Sequence, residues 1–521
     1  MMSSDQMNMK KYTAFTVLIL LCLGQISCKK FLDVKPLDKL SGNIFWESRS
    51  DVESFTSDLY AGLRNKLTST SFLPATGELR SGFIRATTVN NTNSDAEKKI
   101  RLVYEQFAKN NLKTSTGVLS SSQLWNGIGL SSITTWYEFY SVIQGANIMY
   151  DRVGKGVPGL SAADQSKYQA EAVFIRCLTY FLMVRIYGDV PYYTKPYQQD
   201  PLPRTDQVSV MNQCIAELKS NLNHLPLVYP DPAMRAVRAT RGAGTDLLMN
   251  MNMWNAGFDK TNAAKYYQET ARLGDELAGS NSYELLPLAD FSQVMMGRSA
   301  EGIFEFNQSI NYEAAPNFRA FFGEMMLRYP NKNAGADNNS SHAYFRADYL
   351  LSLYPAGIPD LRKDLWFDTF MFSQDGNFQL LKFKGNLLAS GSGGGGIPEW
   401  DLVIFRYAEA ILLTAEAKAE LGLEAEAIIL LNKVRTRAAA PGYNGPGGQH
   451  LKDAIFKERC KELMGEGHLY FDLIRTGRIT DPLWTLNPLT LDQFNRGGWT
   501  WPIDVSALYN NPFMKLNEYW Q

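Results

Sequence analysis

One stretch constrains this chain more than any other: Asp164 to Tyr187 has the spacing of a helix that is apolar nearly all round. Val173, Ile175, Leu178, Phe181, Leu182, Val184 and Ile186 leave it no wide polar face, so it must be packed on most sides by other elements. Gly188 ends it. Arg176 and Arg185 lie inside it and need partners, because an unpaired buried charge is costly.

Other segments with helical spacing supply the packing. In Phe45–Leu63, Val52, Phe55, Leu59 and Leu63 recur at three- and four-residue intervals and share a face. Ser50 is the expected N-cap, with Glu53 completing a capping box. Ile133 to Val153 reads as a further helix, ended by Gly154 and Gly156. Helix pairs follow: Gly242–Trp254 with Ala263–Ala278, and Asp401–Leu421 with Leu423–Arg437. Ala408, Ala410, Ala415, Ala417 and Ala419 provide small contacts where helices approach. Each pair spans roughly the ~34 residues of a tetratricopeptide repeat, without its full signature. The fold class is therefore mainly α: a scaffold of tetratricopeptide-like helix pairs carrying loop-rich and short β-hairpin insertions. The insertions fall around 68–130 and 285–400, where Gly, Pro, Asn and aromatic residues replace helical spacing. Gly302–Phe306 and Gln379–Phe383 are the strand-like pieces in the second. Irregular insertions on a rigid scaffold are where binding residues usually sit.

The first 40 residues have a different character. Lys10 and Lys11 precede an apolar run, Tyr12–Leu23, too short to span a bilayer, which takes ~20 residues. This is the pattern of a signal peptide, residues 1–27. Ser27 before Cys28, with Lys29 and Lys30 after it, fits a bacterial lipoprotein cleavage site, although Gln25 stands where leucine is usual. Cys28 is then the lipidated residue, 28–40 a tether to outer-membrane lipid, and 41–521 a single domain.

The net charge is −1, with both signs mixed along the chain, so no nucleic-acid footprint is expected. The remaining cysteines, Cys177, Cys214 and Cys460, are odd in number and widely spaced. They read as buried apolar residues rather than a disulfide framework. Gly391–Gly396 lacks the Gly-Lys-Ser/Thr ending of a phosphate loop. Glu458, Glu462 and Glu466 line one helix face, followed by His468 and Asp472. Such a row is more often ion-paired, with Arg459 and Arg475 as partners, than catalytic. A surface hydrolase would need Glu462, Glu466 or Asp472 facing an open cleft.

Several ordered motifs resemble the SusD/RagB family of outer-membrane nutrient-binding lipoproteins. These are Cys28–Pro36 followed by Phe45-Trp46, Phe174–Tyr192 with its Tyr-Gly-Asp-Val-Pro-Tyr ending, Phe405–Ala417, Glu458–Arg475, and Trp501-Pro-Ile503 with Asn511-Pro512. The likeness spans essentially the whole mature chain, with Cys460 and Thr476 as mild departures. It implies a helical body with a loop-rich ligand face, on the outer face of the outer membrane. It also implies a TonB-dependent barrel as partner and an oligo- or polysaccharide as the usual ligand, with peptides or another nutrient as the alternative. It implies no catalysis, and no cofactor is expected.

Sugar rings offer apolar C–H faces to flat aromatic side chains and hydroxyls to polar ones. Loop residues with that mixture are Glu78, Arg80, Phe83, Arg85 and Asn90, then Trp125 and Trp136, and Asn311, Tyr312, Phe321 and Phe322 in the second insertion. They are chosen by chemistry and location. Core packing competes for each of the aromatics.

Overall fold

The all-round apolar stretch forms the longest described helix, and other long helices are stacked about it. The computed structural model describes residues 45–68, 72–87, 95–112, 131–308, 343–368, 380–386, 401–504, 506–509 and 511–521. Ten helices of fourteen residues or more lie among them: α1 (Arg49–Thr68), α2 (Asp95–Ala108), α3 (Tyr137–Gly154), α4 (Ala162–Tyr187), α5 (Gln207–Asn221), α6 (Arg241–Phe258), α7 (Ala263–Gly279), α8 (Tyr407–Glu420), α9 (Glu424–Arg437) and α10 (Gln449–Glu462).

Helix α4 begins where its sequence offers a cap. The Ser161 hydroxyl accepts the Asp164 N–H and the Asp164 carboxylate accepts the Ser161 N–H, a capping box. It ends at Gly188, whose φ of +72° favours glycine. Neighbours α1, α3, α5 and α6 pack on it. Phe174, Leu178, Phe181 and Val184 are buried, each worth ~1.5–3 kcal/mol. Arg176 finds Asn147 Oδ1 at 2.8 Å and Glu217 at 2.6 Å. Arg185 has no carboxylate within ion-pair distance among the described residues. Its guanidinium lies over Phe181 and Phe471, 4.1 and 4.4 Å from the ring centroids, and burial lowers its pKa to about 9.

The helix-pair expectation holds for α6–α7 and α8–α9, and the stack continues as α7 on α8 and α8 on α10. Close approach is bought with small residues. A Cβ on Gly274 would stand 2.0 Å from Thr414 Oγ1, and one on Gly257 would stand 2.3 Å from the Arg475 carbonyl oxygen.

Two strand pairs join distant segments. β1 (Ile84–Ala86) is antiparallel to β3 (Ala343–Phe345), and β2 (Gly302–Phe306) is antiparallel to β4 (Leu402–Arg406), the second pair buried throughout. Three local expectations are corrected. The helix expected from Asp401 starts only at Tyr407, because the run Leu402-Val-Ile-Phe, with β-branched Val403 and Ile404 at its centre, pairs with β2. Leu380 makes one bridge to Phe367 and Leu381–Asn386 turns into a 3₁₀ helix. That turn brings Lys382 Nζ onto the carbonyls of Glu462 and Met464, at 2.9 and 3.1 Å, filling acceptors a helix end leaves open. The cap of α1 is Ser48, which accepts the Asp51 N–H at 3.3 Å, rather than Ser50. Gly391–Gly396 lies outside the described residues.

Ser48–Gln521 forms one unit by its contacts, and Met1–Glu47 another. In the latter, the Phe45 and Trp46 rings meet edge to face at 5.2 Å. No described helix is long and apolar enough to cross a membrane.

Candidate ligand-binding site

The acidic row is not a cleft. Glu458, Glu462, Glu466 and Asp472 are ion-paired in the interior. Arg362 reaches Glu458 at 2.6 Å and Glu462 at 3.1 Å. Arg406 reaches Glu301 and Glu462 at 2.8 Å each and Glu466 at 2.7 Å. Arg437 pairs with Glu301 and Glu462, and Lys382 with Glu466. Arg459 and Arg475 meet Asp472 at 2.9 and 2.7 Å. Burial alone would raise the Glu462, Glu466 and Asp472 carboxyls. The surrounding guanidiniums overcome it and hold Glu462 and Asp472 well below the usual carboxylate range, and Glu466 at about 2. His468 is held neutral, at about 3, by burial and by Arg459. Acid–base chemistry on a substrate needs a reachable group, and the Glu458, Glu462, Glu466 and Asp472 side chains are at most 8% exposed and taken up by cations. Cys177, Cys214 and Cys460 are free thiols, all buried.

Glu78 and Arg80 also lie in the interior, against the expectation that they face a ligand. They are 0% and 1% exposed. Arg80 donates to the carbonyls of Gly498, Trp499 and Thr500 at 2.6, 3.0 and 2.9 Å, and its guanidinium sits over Tyr470 and Trp501. With its Nε on Asn110 Oδ1 at 2.9 Å and its other nitrogens on these three carbonyls, the guanidinium pins the first insertion to the C-terminal segment. Phe83 and Arg85 are half-buried. The Phe83 ring stacks on Tyr349 with centroids 3.9 Å apart, and Arg85 donates to the Ile84 carbonyl at 3.1 Å. Asn90, Trp125, Asn311, Tyr312, Phe321, Phe322 and Cys28 lie outside the described residues.

Trp136 does line a cleft. It precedes α3, and Tyr140 follows one turn on, the two rings edge to face at 5.5 Å. The opposite wall comes from the loop after α4. There Pro191, Tyr193, Gln198, Gln199, Asp200, Pro201 and Leu202 face Ser506, Ala507, Asn511 and Met514 of the C-terminal segment. The cavity is about 330 Å³, within the ~300–1,000 Å³ of small-ligand clefts.

Several hydrogen bonds fix this geometry in advance. The Tyr180 hydroxyl donates to the Tyr193 carbonyl and accepts the Tyr193 N–H, both at 3.0 Å. Tyr140 donates to the Pro191 carbonyl at 2.9 Å, and Tyr140 and Tyr193 lie nearly parallel, centroids 6.0 Å apart. Val190 and Thr205 bridge the ends of the loop. Asn511 Nδ2 donates to the Leu202 carbonyl at 2.8 Å. Arg204 lies over Trp136, 5.2 Å from its centroid, with its N–H groups on the carbonyls of Tyr187, Asp189 and Lys515. Burial raises Tyr193 to about 12 and raises Tyr140 as well, so both hydroxyls stay neutral. A cleft shaped before binding loses less ordering entropy on binding. Four of the most exposed aromatic side chains, Tyr137, Tyr197, Tyr509 and Phe513, are chain neighbours of its lining.

The Phe83–Arg85 strand and the Trp136 cleft share no ring contact among the described residues. Tyr140, Tyr193 and Asp200 were missed in the sequence. The available signal was Pro191-Tyr-Tyr-Thr-Lys-Pro-Tyr-Gln-Gln-Asp200, a polar, aromatic loop directly after the most buried helix.

Known proteins match along nearly the whole chain. Residues 372–520 match the profile of a family described as "SusD family", and residues 30–248 one described as "Starch-binding associating with outer membrane". SusD-like protein P25 of Formosa agariphila is 27% identical over 499 residues, covering 89% of this chain and 90% of its own. SusD-like protein P38 of the same organism is 25% identical, covering 98% and 99%. A SusD homolog from Bacteroides thetaiotaomicron, known by crystal structure, is 36% identical with a TM-score of 0.80, covering 91% of this chain and 98% of that one.

Proposed function

Because the chain belongs to the SusD family, we propose that it is a surface lipoprotein, acylated at Cys28, that binds an oligo- or polysaccharide and passes it to a TonB-dependent outer-membrane barrel. The observation that carries the glycan reading is the Trp136–Tyr140–Tyr193 cleft. Half-buried Tyr140 and Tyr193 and an edge of the buried Trp136 supply aromatic surface, and amide, carboxylate and hydroxyl groups rim it. That division matches a sugar ring, apolar on its C–H faces and polar at its edge. Amphipathic, rigid Trp and Tyr side chains give such contacts at low entropic cost. The family profile over residues 30–248 is described as starch-binding and outer-membrane-associating, which supports both halves of the reading. The buried, paired state of Glu462, Glu466 and Asp472 supports binding without turnover.

The mature chain, purified and titrated by calorimetry against oligosaccharide and oligopeptide panels, is expected to bind at least one glycan without degrading it. Binding of peptides and of no glycan would replace the sugar by a peptide. Replacing Cys28 with alanine should release the protein from membranes, since stable anchoring takes more than one acyl chain. Retention on the membrane would refute the anchor.

A further inference from the structure

We infer that the Trp136–Tyr140–Tyr193 cleft selects uncharged glycans with neighbouring free hydroxyls and turns away uronate- and sulfate-bearing ones. The inference rests on the glycan reading above and assigns its substrate class. Of the thirteen described residues lining the cleft, Asp200 alone carries a formal charge. Its side-chain carboxylate has no hydrogen-bond or ion-pair partner among the described residues, and Asp200 is exposed at the rim. The Gln199 amide and the Tyr193 hydroxyl are likewise unpartnered there.

An open carboxylate accepts two hydroxyls of a vicinal diol, the amide can both donate and accept, and the neutral phenol donates. All three groups suit hydroxyl partners. None suits an anion, which would need a cation or a cluster of N–H donors. The nearest cation is Arg204: its Nε and Nη1 are bonded to three backbone carbonyls and its face covers Trp136, so it is turned from the lining although it keeps its charge. Lys515 is exposed beside Met514 but is not part of the lining. A uronate held on these rings would therefore face the unpaired Asp200, with only the partly engaged Arg204 to offset it, and like charges at close range repel.

The test is calorimetry on the mature chain with neutral hexasaccharides (cello-, xylo-, manno- and malto-) against hexagalacturonate and hexamannuronate, in wild type and Asp200→Lys. Asp200 is a rim residue, so the substitution leaves the fold intact, which a melting curve checks. We expect a neutral hexasaccharide to bind at least about tenfold tighter than either acidic one, with Asp200→Lys narrowing that gap at least fivefold. A uronate bound as tightly as any neutral sugar, with affinity rising further in Asp200→Lys, would keep the cleft as the glycan site and overturn the selectivity. Uronate binding unmoved by Asp200→Lys would overturn it by placing the ligand elsewhere. Binding of no glycan at all would remove the glycan reading, and the selectivity with it.

Discussion

The Glu78 carboxylate accepts the Gly467 N–H at 3.0 Å across 389 residues of chain. Burial raises this carboxyl to about 8, against the pull of that N–H and of Lys382, and its Oε2 has no hydrogen-bond partner among the described residues. The folded pKa lies above the unfolded one of ~4.3. The stability it contributes is complete below pH ~4.3 and is lost as pH rises through about 8. Glu78→Gln keeps the acceptor and cannot ionise. Its melting temperature should gain on wild type as pH rises from 5 to 8 and hold that gain above 8. A difference independent of pH would contradict this.

The Arg406 guanidinium holds three buried carboxylates, Glu301, Glu462 and Glu466. Removing one partner leaves unpaired charges inside, which costs ~3–5 kcal/mol. Arg406→Ala should lose about that much in urea unfolding, whereas Arg346→Ala, which breaks an exposed pair with Asp348, should lose under ~1 kcal/mol. The carboxylates of Glu462, Glu466 and Asp472 are held low, so their contribution is present above pH ~4 and is lost as pH falls toward 2. Equal costs for the two arginines would refute the buried network.

Glu305 on β2 and Asp401 before β4 press two carboxyls together. Among the described residues no N–H or O–H reaches Glu305 Oε2 or Asp401 Oδ2, and a proton shared between the two would fill that gap. Burial and the neighbouring carboxyl raise Glu305, and burial raises Asp401 to about 6. Both shifts are upward, so this stability is present at low pH and is lost as pH rises from ~4 through about 6. Glu305→Gln should gain on wild type across that window in denaturant midpoints. No gain would mean that the pair holds no proton.

Gly257 sits where α6 crosses the end of the Leu469–Arg475 helix, and an added Cβ would meet a backbone oxygen at 2.3 Å. Backbone cannot step aside as a flexible side-chain tip can. Gly257→Ala should therefore cost ~1–3 kcal/mol or more, although alanine is the better helix former by ~1 kcal/mol. At Gly279, where nothing lies within 4 Å, alanine should be neutral or stabilising.

Much of this was legible in the sequence where one local pattern sufficed. The length and burial of α4 follow from its apolar positions, and Gly188 marks its end. The glutamate row was readable as ion-paired, with Arg459 and Arg475 named. Its main partners, Arg362, Arg406, Arg437 and Lys382, come from four other segments, and no local spacing reports such pairings. Glu78 and Arg80 looked like ligand contacts because charged residues in a loop-rich stretch are normally exposed. Their burial depends on Gly467 and on Gly498–Thr500, nearly four hundred residues later or more. Strand β4 was mistaken for the start of a helix because a short apolar run has no period of its own. Trp136, which lines the cleft, was picked out by chemistry alone. Tyr193 was not, because its place opposite Tyr140 is set by the Tyr180 hydroxyl and not by its own neighbours.

The most direct measurement is a crystal structure of the mature chain with the tightest-binding oligosaccharide from the calorimetric panel. The account predicts sugar density in the cleft, with a ring against Trp136, Tyr140 or Tyr193 and hydroxyls on Gln199 and Asp200. Ordered sugar elsewhere, with this cleft empty at saturating ligand, would contradict it.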